Sequence, residues 1–186
     1  MKDKIITLLK STNREGIDKL IGWLEKSDYF IAPASTKFHG NYEGGLAEHS
    51  YNVYTLFKEK VERFNIDLSE ETIINAALLH DVCKINLYKR KEKFRKDKDD
   101  RWEKYFPFVI DDTLPLGHGE KSVMLVQAFI KLTREEIFLI RYHMGGFLSE
   151  EEKRNLNKAV ELIPAIVAIH TADYEASTFL EKKVEE

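Results

Sequence analysis

Six histidines, His39, His49, His80, His118, His143 and His170, are spread along the 186-residue chain, and His80 is followed directly by Asp81. Imidazole nitrogens and carboxylate oxygens form a donor set that suits Mn, Fe, Mg, Zn, Ni or Co, and hydrolysis is the chemistry such a cation supports. No single residue carries that reading, because one histidine on an apolar helix face is commonly a satisfied core residue. The set is more informative. Helices or helix ends from four parts of the chain each direct a His or Asp inward, and an ionised aspartate buried without a partner is strongly disfavoured. A divalent cation removes that cost for the whole group.

Other chemistries fail on the letters. No histidine is followed by Glu, so the H-E-x-x-H zinc-protease helix is absent, and no Glu stands three residues before a His, as ferritin-like di-iron bundles require. The single cysteine, Cys83, excludes the paired cysteines of zinc deaminases and any internal disulfide framework. No Gly precedes a Lys, which removes the phosphate-binding P-loop.

The elements that must position these residues read as helices. From Gly45 to Phe64, Leu46, Val53, Leu56, Phe57, Val61 and Phe64 recur at helical spacing, with His49 on the apolar stripe. Ser69 reads as an N-cap, followed by Glu70 and Glu71 at the positive end of the dipole and a stripe through Ile73, Ile74, Ala77 and Leu78 that runs into His80 and Asp81. Further helices are expected at about Glu120 to Lys131, Arg134 to His143 and from Pro164 onward, and an earlier pair near Lys2 to Lys10 and Arg14 to Lys26. Adjacent helical residues diverge by about 100°, so His80 and Asp81 reach one ion only if it lies in a groove between helices. The exception to the helical pattern is Trp102 to Ile110, aromatic and β-branched around Pro107, which reads as a short hairpin or an extended loop.

Composition bounds the rest. With 43% hydrophobic and 33% charged residues and a net charge of −3, the chain can bury a core and is no disordered polyelectrolyte. A pI of about 6.1 leaves any binding of nucleic acid to a local patch, and the only such patch is Lys89 to Arg101, with eight basic and four acidic residues. It is either a solvated face or mobile loop, or a basic lid that leads anionic substrate inward. Trp102, Tyr105 and Phe106 after it are either ordinary core or a surface that stacks a nucleobase. The apolar part of the N-terminus, Ile5 to Leu9, is too short for a signal peptide, and the apolar run Ile163 to Ile169 is too short to span a bilayer. The expectation is one domain over 1–186, cytoplasmic and without a membrane partner, with N-terminal helices in 1–30 and the functional core in about 38–177.

Five motifs, GGLAEHS (Gly44 to Ser50), HDVCK (His80 to Lys84), GHGEKS (Gly117 to Ser122), RYHMGG (Arg141 to Gly146) and HTADYEAS (His170 to Ser177), resemble in order those of HD-domain metal-dependent phosphohydrolases. The resemblance spans about Phe38 to Ser177 and is greatest to the HD module of bacterial 3′-to-5′ exoribonucleases and to small stand-alone HD proteins of bacteria and phages. It implies an all-α helical bundle. It also implies that His49, His80, Asp81 and Asp173 hold one divalent cation, that His118 and His143 hold a second, and that Asp81 bridges the two. Lys84 matches the lysine expected to contact substrate phosphate. Val82-Cys83 departs from the branched residue and Gly of many relatives, and Cys83 reads as a packed thiol.

Four residues near these motifs stay open. His39 is a leaving-group acid, a phosphate ligand, or a surface histidine; Lys121 holds phosphate or lies on a helix surface. Glu48 either supports the neighbouring ligand or is solvated, and His170, one turn before Asp173, is read as supporting a ligand from behind. The function implied is hydrolysis of a phosphate ester, of a nucleotide or a nucleic-acid end, by water activated between two cations. Cleavage of a cyclic nucleotide or dinucleotide is the alternative within enzymes. A non-catalytic HD module that binds a nucleotide or partner is the alternative outside them, and the intact ligand set argues against it.

Overall fold

The structure is a computed structural model, and it describes residues 1–146 and 150–181. Its helices are α1 (Lys2–Ser11), α2 (Ile17–Lys26), α3 (Gly45–Arg63), α4 (Glu70–Leu79), α5 (His118–Gln127), α6 (Arg134–Tyr142), α7 (Glu150–Leu162) and α8 (Ala165–Glu175), the last continued by a wider, π-type turn over Ala176–Leu180. The architecture is all-α with one β-ribbon. Among the described residues no helix is long and apolar enough to cross a membrane.

Helix α4 is the centre of the bundle, because every side chain from Thr72 to Leu79 is buried. Its start is fixed by the Ser69 hydroxyl, which accepts from the Thr72 amide at 3.1 Å. On one side α3 packs its stripe of Leu46, Val53, Phe57 and Val61 against α4 and against Ile166, Ile169 and Ala172 of α8. On the other, α6 adds Leu139 and Ile140 and carries a capping box in which Thr133 and Glu136 exchange bonds with each other's backbone amides. Glu136 is fully buried and also receives the Arg14 guanidinium (2.9 Å) and the Asn75 side-chain amide (2.9 Å). One carboxylate therefore ties the segment before α2, α4 and α6 together.

The expected element at Trp102 to Ile110 is larger than the sequence suggested. Strands β1 (Tyr88–Arg90), β2 (Lys93–Lys96), β3 (Trp102–Tyr105) and β4 (Phe108–Ile110) form one antiparallel ribbon in a single register, β1 on β4 and β2 on β3. Pro107 has no N–H to donate and interrupts the ladder, although its carbonyl still accepts from the Lys91 amide at 3.1 Å. At the tip, Asp97 Oδ1 accepts from the Asp99 and Arg101 amides (2.8 and 2.9 Å), so the basic run is the first arm and tip of a ribbon. In the chain the ribbon lies between Lys84 and His118, with residues 111–117 linking β4 to α5. Helix α7, EEEKRNLNKAVEL, carries no expectation from the sequence; among its described residues Ala159 is buried, and Leu156 and Val160 pack partly buried against the core.

Candidate metal centre

Helix α4 ends at Leu79, with His80 as its C-cap, and Asp81 leaves the helical region at φ −108°, ψ 15° before a 3₁₀ turn over Val82–Lys84. This break removes the 100° divergence expected of neighbours in a helix and lets His80 and Asp81 face the same point. The turn is held by Ser122 of α5, whose hydroxyl accepts from the Cys83 amide at 3.1 Å.

Asp81 is 2% exposed and stands at the centre. Its Oδ2 lies 3.5 Å from His49 Nε2, 3.5 Å from His80 Nε2 and 2.6 Å from Lys84 Nζ. Its Oδ1 lies 2.6 Å from His118 Nε2 and 3.6 Å from His143 Nε2. Asp173, on α8, completes the first side, with Oδ1 at 3.1 Å from His49 Nε2.

Two of the imidazoles are anchored from behind by helix carbonyls. His80 Nδ1 is 2.7 Å from the Ala77 carbonyl and His143 Nδ1 is 2.7 Å from the Ile140 carbonyl. A carbonyl only accepts, so these nitrogens carry the proton and each Nε2 presents a lone pair inward. Among the described residues His143 Nε2 is buried with no hydrogen-bond partner, which suits a lone pair aimed at a cation. Among the described residues, four groups of donor atoms are close enough to share one ion: His49, His80 and Asp81 on one side, Asp81, His118 and His143 on the other, His80, His143 and Asp173 across them, and His39, His49 and Glu181 behind His49. The donor chemistry fits divalent metal.

Electrostatics agrees with a site built for positive charge. Burial opposes ionisation of Asp81, but Lys84, His80 and His118 outweigh it and hold its carboxyl well below the usual range. Asp173 is likewise held low against its burial, by His49 first. Burial alone lowers His49, yet the Asp173 and Glu181 carboxylates on its two nitrogens raise it to about 10. His80, with burial dominant and His143 and His49 nearby, falls to about 3. Cys83 is pushed up to about 12, chiefly by burial and then by Asp81, and is an inert packed thiol 3.4 Å from His118 Nδ1.

The remaining residues separate. His39 is half-buried and lines a cavity of about 210 Å³ together with Asp81, Lys84, His118, His170, Asp173, Tyr174 and Ser177. His170 Nδ1 bonds the His143 carbonyl at 2.7 Å, and a Cβ on Gly145 (φ +61°) would lie 2.4 Å from the His170 ring, so only glycine lets the loop cross it. Gly119 serves α5 similarly, since a Cβ there would meet the Arg141 carbonyl oxygen at 2.3 Å. Lys121 is buried on Asp112 at 2.7 Å and stands neither on the helix surface nor among the residues lining this cavity. Glu48 accepts from the Tyr42 hydroxyl at 2.8 Å. Trp102 and Phe106 are exposed and not core, and Tyr105 is partly covered. A larger cavity of about 720 Å³ near Arg14, Gly16, Phe129 and Thr133 contains none of these groups.

Sequence reasoning missed Glu181, whose carboxylate lies 2.8 Å from His49 Nδ1. Its placement depends on the π-type turn after α8, for which the letters give no signal.

A helical bundle whose helix ends converge imidazoles on one buried aspartate defines a divalent-metal hydrolase scaffold. The HD domain family model matches residues 46–177, and the chain belongs to that family and to the metal-dependent phosphohydrolases its motifs resemble. It is also similar to a protein of Methanocaldococcus jannaschii described as dihydroneopterin 2′,3′-cyclic phosphate phosphodiesterase, at 36% identity over 108 residues, covering 49% of this chain and 43% of that protein. The alignment thus spans less than half of the relative. No solved structure matches the chain.

Proposed function

We propose that the chain hydrolyses a phosphodiester or phosphomonoester with two divalent cations, His49, His80, Asp81 and Asp173 holding one, His118, His143 and Asp81 the other. The observation that carries this is the division of Asp81: one carboxylate oxygen faces His49 and His80, the other faces His118 and His143. When bound, two cations stabilise the phosphoryl oxygens and acidify water to hydroxide at neutral pH. The chain's own side chains do the rest. Lys84, a partly buried ammonium kept charged against its burial by Asp81, lines the cavity and draws the phosphate in. Burial first, and then the neighbouring positive charge of Lys84, lower the His39 pKa, so it hydrogen-bonds the ester as a neutral imidazole. Cysteine or serine attack is not needed.

The relative's described substrate, a 2′,3′-cyclic phosphate, favours a small cyclic phosphodiester. A nucleotide or nucleic-acid end is favoured by the ribbon, where Phe94, Lys96, Trp102 and Lys104 share one face and each lysine lies over the ring opposite it, at 5.9 and 6.0 Å. Hydrolysis of bis-p-nitrophenyl phosphate with Mn²⁺ and with EDTA tests the reaction, and a panel of 2′,3′-cyclic nucleotides, nucleotides and oligonucleotides ranks the substrates. Turnover that is indifferent to EDTA, or absent with every cation, sinks the reading.

A further inference from the structure

We propose that Glu181 is the positioning residue that fixes His49 as a metal ligand, an assignment that rests on the two-cation reading above. The need for it follows from where His49 sits. His80 and His143 stand at helix C-termini, where the carbonyl three residues back is free to accept from Nδ1. His49 lies in the first half of α3 and has no such carbonyl, since those around it are committed to the helix. Its Nδ1 requires an acceptor from elsewhere in the chain.

Glu181 supplies one from 132 residues away. The side chain is 1% exposed, and Oε1 lies 2.8 Å from His49 Nδ1 and 3.4 Å from the side-chain amide of Asn52, one turn further along α3. The π-type turn over Ala176–Leu180 packs against α3 and brings Glu181 back toward it, closed by the Glu181 amide on the Ala176 carbonyl at 3.2 Å. Turns of this kind recur at functional sites.

A buried carboxylate is unfavourable unless it is hydrogen-bonded and opposed by positive charge. Among the described residues Oε2 has no hydrogen-bond partner, and His39 Nε2 stands 4.0 Å from it. A carboxylate behind an imidazole whose other nitrogen binds a cation resolves this: it keeps the proton on Nδ1, points Nε2 at the ion and strengthens the ligand. Asp173 and Glu181 then have different tasks on one ring, the first at the metal face and the second behind it.

The test uses the full chain loaded with Zn²⁺, its affinity measured by competition with a chelator, and ¹⁵N-edited NMR of the histidine rings. Glu181→Ala is expected to weaken Zn²⁺ binding about 10- to 100-fold and to remove a slowly exchanging Nδ1–H signal of His49. Glu181→Gln, which keeps the shape and a neutral acceptor, is expected to lose less affinity and retain the signal. Circular dichroism of both variants reports the fold. Affinity and signal unchanged in Glu181→Ala overturn the assignment, as does a variant that loses only thermal stability. Failure of the wild-type chain to take up Zn²⁺ or Mn²⁺ overturns the metal reading itself and this assignment with it.

Discussion

His80 and His143 occupy the same position on two different helices, each the C-cap residue, each with Nδ1 2.7 Å from the carbonyl three residues back, their rings 4.6 Å apart and nearly perpendicular. Each ring thus satisfies an orphan carbonyl at its helix end and is oriented by the same bond. The two helix ends form a pair of matching mounts, one for each oxygen of Asp81.

If the mounts serve separate ions, His118→Ala and His143→Ala each leave one divalent ion per chain, and elemental analysis after gel filtration counts them. Two ions retained in either variant would show that the division of Asp81 has been misread.

Asp81→Ala removes the carboxylate common to both sides. Metal affinity is expected to fall by at least about 10- to 100-fold, with hydrolysis undetectable. Lys84→Ala contrasts with it: the ion content stays at the wild-type value, while kcat/KM falls about 10²-fold, the scale of losing one charge-stabilising donor. Steady-state kinetics at saturating Mn²⁺ separates the two.

Metal-free protein is expected to be most stable near pH 6.5. His49 has a folded pKa of about 10, above its ordinary 6.5, so its contribution is complete below pH 6.5 and is lost as pH rises toward 10. His80, lowered to about 3, acts on the other flank, since the unfolded chain takes up its proton as pH falls from 6.5. Asp81 and Asp173, held low, add to the acid loss below the ordinary carboxylate value of 3.8. Thermal melts across pH follow both flanks, and Zn²⁺ is expected to flatten the alkaline one, because a ligating His49 has already given up a proton.

Glu136→Ala leaves Arg14 without one of its carboxylates and Asn75 without an acceptor in the bundle interior. A loss of roughly 3–5 kcal/mol is expected, read as a lower Tm at about 2–4 °C per kcal/mol. A smaller shift would mean that water and the Glu71 carboxylate, which Arg14 already bonds, compensate for the loss.

Trp102→Ala tests the ribbon. Turnover of the small chromogenic ester is expected to stay unchanged, whereas oligonucleotide binding weakens by roughly 1–3 kcal/mol, the worth of one stacked base. Equal binding by both proteins in fluorescence anisotropy assigns the exposed rings no part in substrate capture.

Much of this was legible in the letters. The apolar stripe of α3, the Ser69 cap and the polar break at His80-Asp81 each follow local rules, and the family motifs name the residues that converge. What the letters hid depends on distant or irregular contacts. Glu181 enters the centre only through a π-type turn, the apolar stripe of α7 is limited to Leu156, Ala159 and Val160 among charged and amide side chains, and the ribbon doubles back over residues whose charges read as a loop. Lys121 reads as a phosphate ligand or a surface cation until Asp112, nine residues earlier, is seen to bind it.

The arm from Tyr88 to Ile110 lies in the chain between Lys84 and His118, and its strands lean on each other more than on any helix. Its reach can therefore be changed without touching the cage. Excising two facing residues from each strand keeps the same sides outward, because side chains alternate with a period of two. Such trimmed chains offer a ruler for how far from the scissile bond a ligand is gripped.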